Sequence, residues 1–446
     1  MTIERSRQGE MAEEGKKVVL LNLSAKDIVD VPGMVAPFSA VVLATTLTEE
    51  HNVEIIDLDK DGKSKKRLRN ADHVFFTGVP SSLYSQAVQV REGIKQDVQN
   101  DGKTAPIMSI GGPHASYFKG DLDGWDHISV GDGFESAKLI VGGKAERVVE
   151  EVPLADEKFH KLQPWAYSLL KHPTSYGRPG TDSTLPFMSG IGCCRECAFC
   201  ANHPRRIRRF TPEQIEQTLG NITDLGVQQS VDYNDDLLQP ERNTEWKSQY
   251  IEILGGENIK IRHSAHVKSI LHKSVKEDNI LNRLTDAGAV GISVGIDGPL
   301  VGDGRWLKYF DKRASEDECL EALRRAKAAG YYVKAYQIFP PNGGIAAGQA
   351  IMRLANLNYV DKTVVSSLAL LPGSPMYENP EIYGLKPNNL VYDAAGHEGN
   401  SSSVYFGKKK GISPDMSIYT PIDRLVMMYV NLYLKNLEHR KEPMPI

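Results

Sequence analysis

Four of the five cysteines lie close together, and this group has the clearest chemical potential in the sequence. Cys193, Cys197 and Cys200 have the spacing C-x3-C-x2-C, with Cys194 beside the first of them. Three thiolates can bind three irons of a [4Fe–4S] cube and leave the fourth iron open for another ligand. Cys319 lies in a distant helical pattern and is expected to be a buried, unreactive thiol. We therefore predict a metal centre with Cys193, Cys197 and Cys200 as its ligands.

Two other arrangements of these thiols remain open. A structural zinc ion would need a fourth ligand, and either His203 or Cys194 could supply it. However, zinc sites commonly pair two separated Cys-x2-Cys knuckles, and this sequence contains no second one. Cys194 could also replace Cys193 in the register C-x2-C-x2-C.

The cysteines follow the first strand of a predicted series of strands and helices. The apolar segment LPFMSGI leads into them, and five further strand–helix units follow up to LALLP near residue 372. Six units are too few to close an eight-stranded barrel, so we expect an open, partial (β/α)6 barrel. The cysteine-bearing loop would then lie at the mouth of this barrel, where the active sites of such folds are found.

The first 150 residues alternate short apolar strands with helices. The strands are predicted near residues 17–23, 53–58, 73–79, 106–112 and 127–133, a pattern typical of a doubly wound, Rossmann-like parallel sheet. Several of them end in glycine-containing loops, and the ligand crevice of such a sheet lies at the carboxyl ends of its strands.

The sequence therefore predicts an α/β protein with five parts. They are a disordered leader (1–16), the doubly wound domain (17–150), a linker (151–183), the partial barrel (184–378), and a C-terminal extension with a closing helix (379–446).

Charge and hydropathy narrow the function classes. The 53 basic and 57 acidic side chains give a net charge of −4, which lacks the basic excess expected for binding a nucleic-acid backbone. No apolar run approaches the ~20 residues that span a bilayer, and the polar first residues contain no signal-peptide core. We expect a cytoplasmic enzyme that acts on a small-molecule or peptide substrate, in a compartment where thiols stay reduced.

The loop C-x3-C-x-aromatic-C, with Phe199 before the last cysteine, resembles the radical S-adenosylmethionine (SAM) superfamily over about residues 185–375. The resemblance implies that the open iron binds the amino and carboxylate groups of SAM. One electron from the cluster would break the S–C5′ bond and yield a 5′-deoxyadenosyl radical. It also implies an electron donor such as flavodoxin or ferredoxin as a partner.

The same resemblance implies roles for residues at the strand ends. The SAM contacts would be Phe199, Tyr233, Ser264, Ser293, Gly295, Asp297, Lys334, Gln337 and Leu371. Asp235, Asp236 and His266 are candidate catalytic residues, and Asp235 or Asp236 would orient the amino group of SAM or the substrate. The alternatives are that Asp236 caps the following segment and that His266 is a packed residue. The chain departs from many relatives at Asp297-Gly298-Pro299, where they carry Glu-Ser-Gly.

A doubly wound domain before such a barrel resembles the cobalamin (B12)-binding class of the superfamily. The residues implied to contact cobalamin are Ser81, Ser82, Gly111, Gly112, His114, Gly131 and Gly133. The Asp-x-His-x-x-Gly motif that supplies an axial histidine in other cobalamin proteins is absent, and a lone loop histidine such as His114 is more typical of a domain interface. Glycine-ended strands would also suit a domain of this type that binds no cobalamin.

Three functions follow from these patterns. The first is a cobalamin-dependent methyltransferase acting on an unactivated carbon or a phosphinate. The second is radical SAM chemistry without cobalamin: rearrangement, carbon–carbon bond formation or 3-amino-3-carboxypropyl transfer. The third is a zinc-stabilised module that binds a nucleotide.

Overall fold

The computed structural model describes residues 15–23, 36–61, 64–80, 83–118, 122–151, 154–162, 165–177, 182–201, 207–240, 245–368, 370–371, 373–385 and 419–438. Its first part is a parallel six-stranded sheet in the order β2-β1-β3-β4-β5-β6. The strands are β1 (Lys17–Asn22), β2 (Asn52–Asp57), β3 (His73–Phe76), β4 (Ile107–Gly111), β5 (His127–Val130) and β6 (Val148–Glu150). The helices of this part are α1 (Phe38–Thr45), α2 (Lys65–Arg69), α3 (Tyr84–Asn100), α4 (Pro113–Tyr117), α5 (Phe134–Val141) and α6 (Asp156–Phe159).

The central strand β1 shows why helices cover both faces of this sheet. Val18 and Leu20 pack in one apolar core with residues of α1 and α5. Val19 and Leu21 point the other way, into a second core with residues of α3. Side chains alternate along a strand, so a strand that is apolar at every position needs cover on both sides. The predicted doubly wound sheet is confirmed.

The second part is a curled parallel sheet in the order β14-β13-β12-β11-β10-β7, which forms a half-barrel. Its strands are β7 (Thr184–Phe187), β10 (Gln229–Asp232), β11 (Lys260–His266), β12 (Ala289–Asp297), β13 (Tyr332–Phe339) and β14 (Lys362–Ser367). A small antiparallel pair, β8 (Gly190–Ile191) with β9 (Arg208–Arg209), flanks the cysteines. The six-stranded open barrel agrees with the prediction.

The helices of this second part pack around the half-barrel. They are α7 (Pro212–Asp224), α8 (Glu245–Glu257), α9 (Val267–Ile270), α10 (Lys273–Glu277), α11 (Ile280–Asp286), α12 (Arg305–Tyr309), α13 (Glu316–Ala328), α14 (Gly344–Ala355), α15 (Pro375–Glu378) and α16 (Pro421–Glu438). Alternate strand residues such as Ile292 and Val294 are buried among these helices. The other alternate set, which includes Ser264, Ser293 and Lys334, therefore faces the lumen of the half-barrel and is only partly buried.

The segment 151–183, which was predicted to be a linker, takes part in the core where it is described. Phe159, Trp165 and Tyr167 are buried, and the Tyr167 hydroxyl donates a hydrogen bond to the Pro186 carbonyl of β7. The segment therefore fixes the two sheets against each other. Strand β6 was also not anticipated, because it is only three residues long and forms by pairing with β5.

Candidate active site

The cysteine loop, residues 193–200, follows β8 at the carboxyl end of the half-barrel, and distant segments fix its backbone. The fully buried Gln239 side chain accepts a hydrogen bond from the Cys194 N–H (3.1 Å) and donates one to the Gly192 carbonyl (3.1 Å). The Ala198 N–H donates to a carbonyl at the end of α12 (3.1 Å). A loop held in this way presents its side chains in a fixed arrangement.

The three motif cysteines differ from the fourth in their surroundings. Cys197 is buried and Cys193 and Cys200 are partly buried, whereas Cys194 is exposed. Burial raises the pKa of Cys193 to about 12 and that of Cys197 to about 11, so both thiols keep their protons at neutral pH unless a metal displaces them. A thiol set that is shielded from water but ionises on metal binding fits a cluster site. Within the described residues, no three His, Cys, Asp or Glu side chains are grouped to hold a single metal ion; His203 lies outside those residues.

Asp236 connects this loop to the end of β11. Its carboxylate is 1% exposed and accepts hydrogen bonds from Ser269 Oγ (2.6 Å) and the His266 N–H (3.2 Å). Arg195 Nε, in the cysteine loop, lies 3.9 Å from Asp236 Oδ2. Burial raises the pKa of Asp236, and the two hydrogen bonds oppose that rise. The Asp236 carboxylate therefore connects the cysteine loop with β11 and α9 and has little contact with solvent.

His266 and Asp297 each have a defined polar partner. His266 Nδ1 accepts a hydrogen bond from the Lys268 N–H (3.1 Å) at the start of α9. Burial, with the nearby Lys312 and Arg195 cations, lowers the pKa of His266 to about 2, so the ring is neutral. Asp297 ends β12 in the left-handed region (φ 62°) and forms a buried ion pair with Lys312. Lys312 was not foreseen from the sequence, because it lies in an ordinary charged stretch after α12.

A cavity of about 300 Å³ lies between the carboxyl ends of the two sheets. We call it the interdomain cavity. Of the predicted residues, its lining includes Gly111, Gly112, Gly131, Gly133, Tyr233 and Asp235. Gly112 shows how tightly the loops meet: its φ is +115°, and a Cβ there would lie 2.4 Å from the Val79 backbone nitrogen. Only glycine fits at such a position, so bare backbone forms this wall of the cavity.

Aromatic side chains and one ion pair define the rest of the interdomain cavity. Tyr233, at the end of β10, packs edge-to-face on Phe38 (ring centroids 5.5 Å apart), and Trp165 contacts the same ring (5.8 Å). Across the domain boundary, Arg208 of β9 pairs with Asp132, which lies in the loop after β5, at 2.6 Å. Sequence reasoning missed Phe38, Trp165 and this pair, because nothing local shows that these segments meet.

A second cavity of about 260 Å³, the strand-end cavity, lies beside the cysteine loop at the ends of β12 to β14. Of the predicted residues, it includes Phe199, Cys200, Asp297, Gln337 and Leu371. Gln337 is 1% exposed, and neither polar atom of its amide has a hydrogen-bond partner within the described ranges. Tyr117 of the first sheet's domain also reaches this cavity and was not predicted.

The remaining predicted residues lie elsewhere. Ser264, Ser293, Gly295 and Lys334 line the lumen below the strand ends. His114 is buried against the Tyr84 ring (4.0 Å between ring centroids) and is not part of the cavity lining. Ser81 and Ser82 fall outside the described residues. Most of the predicted residues within the described ranges thus lie in the cysteine loop, the two cavities or the lumen.

Comparisons with known proteins agree with this architecture. Residues 188–343 match the model of the Radical SAM superfamily, and no curated protein matches the chain. None of the helices in the described ranges is long and apolar enough to cross a bilayer.

Three solved structures are similar in fold. The cobalamin-dependent SAM radical enzyme OxsB with aqua-cobalamin has a TM-score of 0.67 at 15% identity, over 85% of this chain and 63% of that one. For OxsB with both aqua-cobalamin and SAM bound, the TM-score is 0.68 at 15% identity, over 96% of this chain and 71% of OxsB. For the radical SAM methyltransferase TsrM from Kitasatospora setae, with cobalamin and a [4Fe–4S] cluster bound, the TM-score is 0.58 at 16% identity. That comparison covers 82% of this chain and 75% of TsrM. This chain therefore spans less than two thirds of the length of OxsB in the first of these comparisons. Residues 188–343 therefore form a Radical SAM domain, and the chain has the two-sheet fold of these solved structures.

Proposed function

We propose that this protein cleaves SAM at a [4Fe–4S] cluster and uses the resulting radical for cobalamin-dependent methyl transfer to an unactivated carbon or a phosphinate. One observation carries the proposal. The interdomain cavity is lined both by the glycine-ended loops of the first sheet and by Tyr233 and Asp235 at the mouth of the half-barrel. A methyl donor held by the first sheet and a radical formed at the barrel mouth would therefore face the same space.

The cysteine loop would hold the cluster through Cys193, Cys197 and Cys200. In its reduced form such a cluster supplies the electron that breaks the S–C5′ bond of SAM, and a small electron-transfer protein of the flavodoxin or ferredoxin type would reduce it. The protein itself would hold the cysteine loop in a fixed position, through Gln239 and Asp236. We assign Asp236 to this positioning because its carboxylate accepts hydrogen bonds from Ser269 Oγ and the His266 N–H. His266 caps the start of α9 through Nδ1, and its Nε2 has no partner among the described residues.

SAM would occupy the strand-end cavity. Phe199, Leu371 and Tyr336 give it apolar and aromatic walls suited to a nucleoside, and the unpaired Gln337 amide offers a donor and an acceptor. The amino-acid end of SAM would point at the cysteine loop, where Cys200 borders the same cavity.

The first sheet would hold cobalamin in the interdomain cavity. The fit rests on the bare backbone at Gly111, Gly112, Gly131 and Gly133, where a flat macrocycle can approach the loops closely. Phe38 and Trp165 add aromatic surface. Asp235 is exposed at the cavity and is the carboxylate best placed to contact a substrate there.

Anaerobic reconstitution with iron and sulfide tests the proposal. Wild-type protein should bind about four irons, cleave SAM to 5′-deoxyadenosine under reduction, and take up added cobalamin. Cys197→Ala should lose the cluster and the cleavage. Cys194→Ala and Cys319→Ala, which change an exposed and a buried cysteine outside the motif, should keep both.

Other product patterns would contradict the proposal. Cleavage without any cobalamin uptake would leave the second function, radical chemistry without cobalamin. Methylthioadenosine in place of 5′-deoxyadenosine would indicate transfer of the 3-amino-3-carboxypropyl group. About one equivalent of zinc without iron would favour the nucleotide-binding module.

A further inference from the structure

Helix α16 is apolar on two opposite faces. Its inner face packs in the same apolar core as α14, with Met427, Val430 and Leu434 buried there. Its outer face carries five large apolar side chains that remain 47–61% exposed: Ile422, Leu425, Met428, Tyr429 and Leu432. A helix that is apolar all round is normally buried on every side, and contiguous exposed apolar side chains mark sites of association. We therefore expect a partner to cover the outer face of α16.

Contacts with α14 and the turn before it fix the rotation of α16 about its own axis. A Cβ at Gly348 of α14 would lie 2.4 Å from Val426 Cγ1, so the two helices are in close contact. At the start of α16, the buried Asp423 carboxylate accepts hydrogen bonds from the Asn342 N–H (3.0 Å) and the Gly344 N–H (2.7 Å). Turning the outer face inwards would break these contacts and expose an equally apolar inner face. The outer side chains therefore stay at the surface of the described part of the chain.

The outer side chains have a symmetric order along the helix. Ile422, Leu425, Tyr429 and Leu432 follow one another at steps of three, four and three residues, a spacing that places them on one stripe of an α-helix. The spacing is the same when it is read from either end. In an antiparallel pair of such helices, Ile422 would contact Leu432 of the partner subunit, and Leu425 would contact Tyr429 of the partner subunit. A stripe that complements itself in this way suits the twofold axis of a homodimer.

Charge and area also favour a second copy of this chain. The only charged residues between Ile422 and Leu432 are Asp423 and Arg424. Asp423 is buried, and Arg424 lies off the stripe, so two stripes can meet without bringing like charges together. Five side chains of this size and exposure present about 500–600 Å². Two copies would therefore bury about 1,000–1,200 Å², which reaches the area of about 1,000 Å² that a specific interface needs.

We propose that α16 is the interface of a symmetric homodimer, in which the outer faces of two α16 helices pack antiparallel. Leu425 and Tyr429, at the centre of each stripe, form the contact at the twofold axis. The inference is independent of the proposed function, because it uses no residue of the cysteine loop or of the two cavities.

Sedimentation velocity of the reconstituted full-length chain tests this arrangement. The wild type should sediment as a dimer above about 10 μM, as expected for an interface of this size. Leu425→Glu and Tyr429→Lys should each raise the dissociation constant of the dimer at least about 100-fold, because each dimer would bury two unpaired charges. Leu139→Glu, on α5 and 41% exposed, is the matched control and should sediment like the wild type.

A mixture of the two charged variants tests the antiparallel order. Mixed in equal amounts, the Leu425→Glu and Tyr429→Lys chains should form a dimer at least about 10-fold tighter than either variant alone. The reason is that the antiparallel order places the new carboxylate beside the new ammonium. A parallel pair would set position 425 against position 425 and would show no such gain.

Three results would overturn the proposal. A wild type that sediments as a monomer at about 100 μM would mean that another molecule, or residues 386–418, cover the outer face. A dimer that is equally stable in Leu425→Glu would place the interface elsewhere. Weaker dimers of both single variants, without any gain in the mixture, would exclude the antiparallel pairing. Should Leu425→Glu fail to fold by circular dichroism, Leu432→Glu mixed with Ile422→Lys provides the same comparison at the ends of the stripe.

Discussion

Removing the carboxylate of Asp236 should destabilise the mouth of the half-barrel strongly, whereas removing that of the neighbouring, exposed Asp235 should have little effect. Asp236→Ala leaves two buried donors, Ser269 Oγ and the His266 N–H, without their acceptor. Each unsatisfied donor costs about 1–3 kcal/mol, and removing a buried charge returns part of its desolvation energy, so we expect a loss of about 2–4 kcal/mol.

The Asn variant separates charge from hydrogen bonding. Asp236→Asn keeps an acceptor for the His266 N–H, and its amide nitrogen can donate to the Ser269 hydroxyl once that hydroxyl turns. It should therefore lose only about 1 kcal/mol. Asp235→Ala, one residue away and exposed, should stay within about 0.5 kcal/mol of the wild type.

Urea unfolding of the iron-free chain, followed by circular dichroism, measures these differences as shifts in the transition midpoint. Iron bound after reconstitution gives a second readout, because Arg195 loses its neighbour in Asp236→Ala and the cysteine loop becomes less fixed. An Asp236→Ala protein that unfolds at the same urea concentration as Asp235→Ala would refute the positioning role. Full stability and iron content combined with lost SAM cleavage would instead point to a catalytic role.

Three further predictions use the same reasoning. Gly112→Ala should lower the free energy of unfolding by at least about 2 kcal/mol and abolish cobalamin uptake, because its Cβ would meet the Val79 backbone. Gly220→Ala, with open space around it in α7, should change neither result in the same unfolding and cobalamin-binding assays. Burial lowers the pKa of His114 to about 4, below the unfolded value of 6.5. The neutral His114 ring therefore stabilises the fold fully above pH 6.5, and this stabilisation is lost as the pH falls towards 4, because the unfolded chain then binds the proton more readily. Between pH 7 and pH 5, the free energy of unfolding of His114→Phe should therefore fall by about 2 kcal/mol less than that of the wild type. The same pH dependence of unfolding in both proteins would contradict this. Gln239→Ala removes two buried hydrogen bonds to the cysteine loop and should lower both the iron content and the thermal stability. An iron content equal to that of the wild type would show that the loop does not need these hydrogen bonds.

The tertiary structure changed the interpretation of several residues that the sequence singled out. Asp236 and His266 lie where catalytic groups are expected, yet their partners are residues of α9 and the cysteine loop. His114 follows a glycine-ended strand, yet it packs on Tyr84 outside the cavity. In each case the decisive partner comes from another element, so no local pattern could identify it.

The sequence by itself determined the cysteine spacing and the two series of strands and helices. Both are local properties, because three thiolates within eight residues already define a cluster loop and an apolar run already defines a buried strand. Only the tertiary structure decided which side chains share a space. The interdomain cavity unites Phe38, Gly112 and Tyr233, which are far apart in the chain. The physical reason is that the curl of the second sheet and the docking of residues 165–177 depend on packing between distant segments, and strand periodicity does not encode that packing.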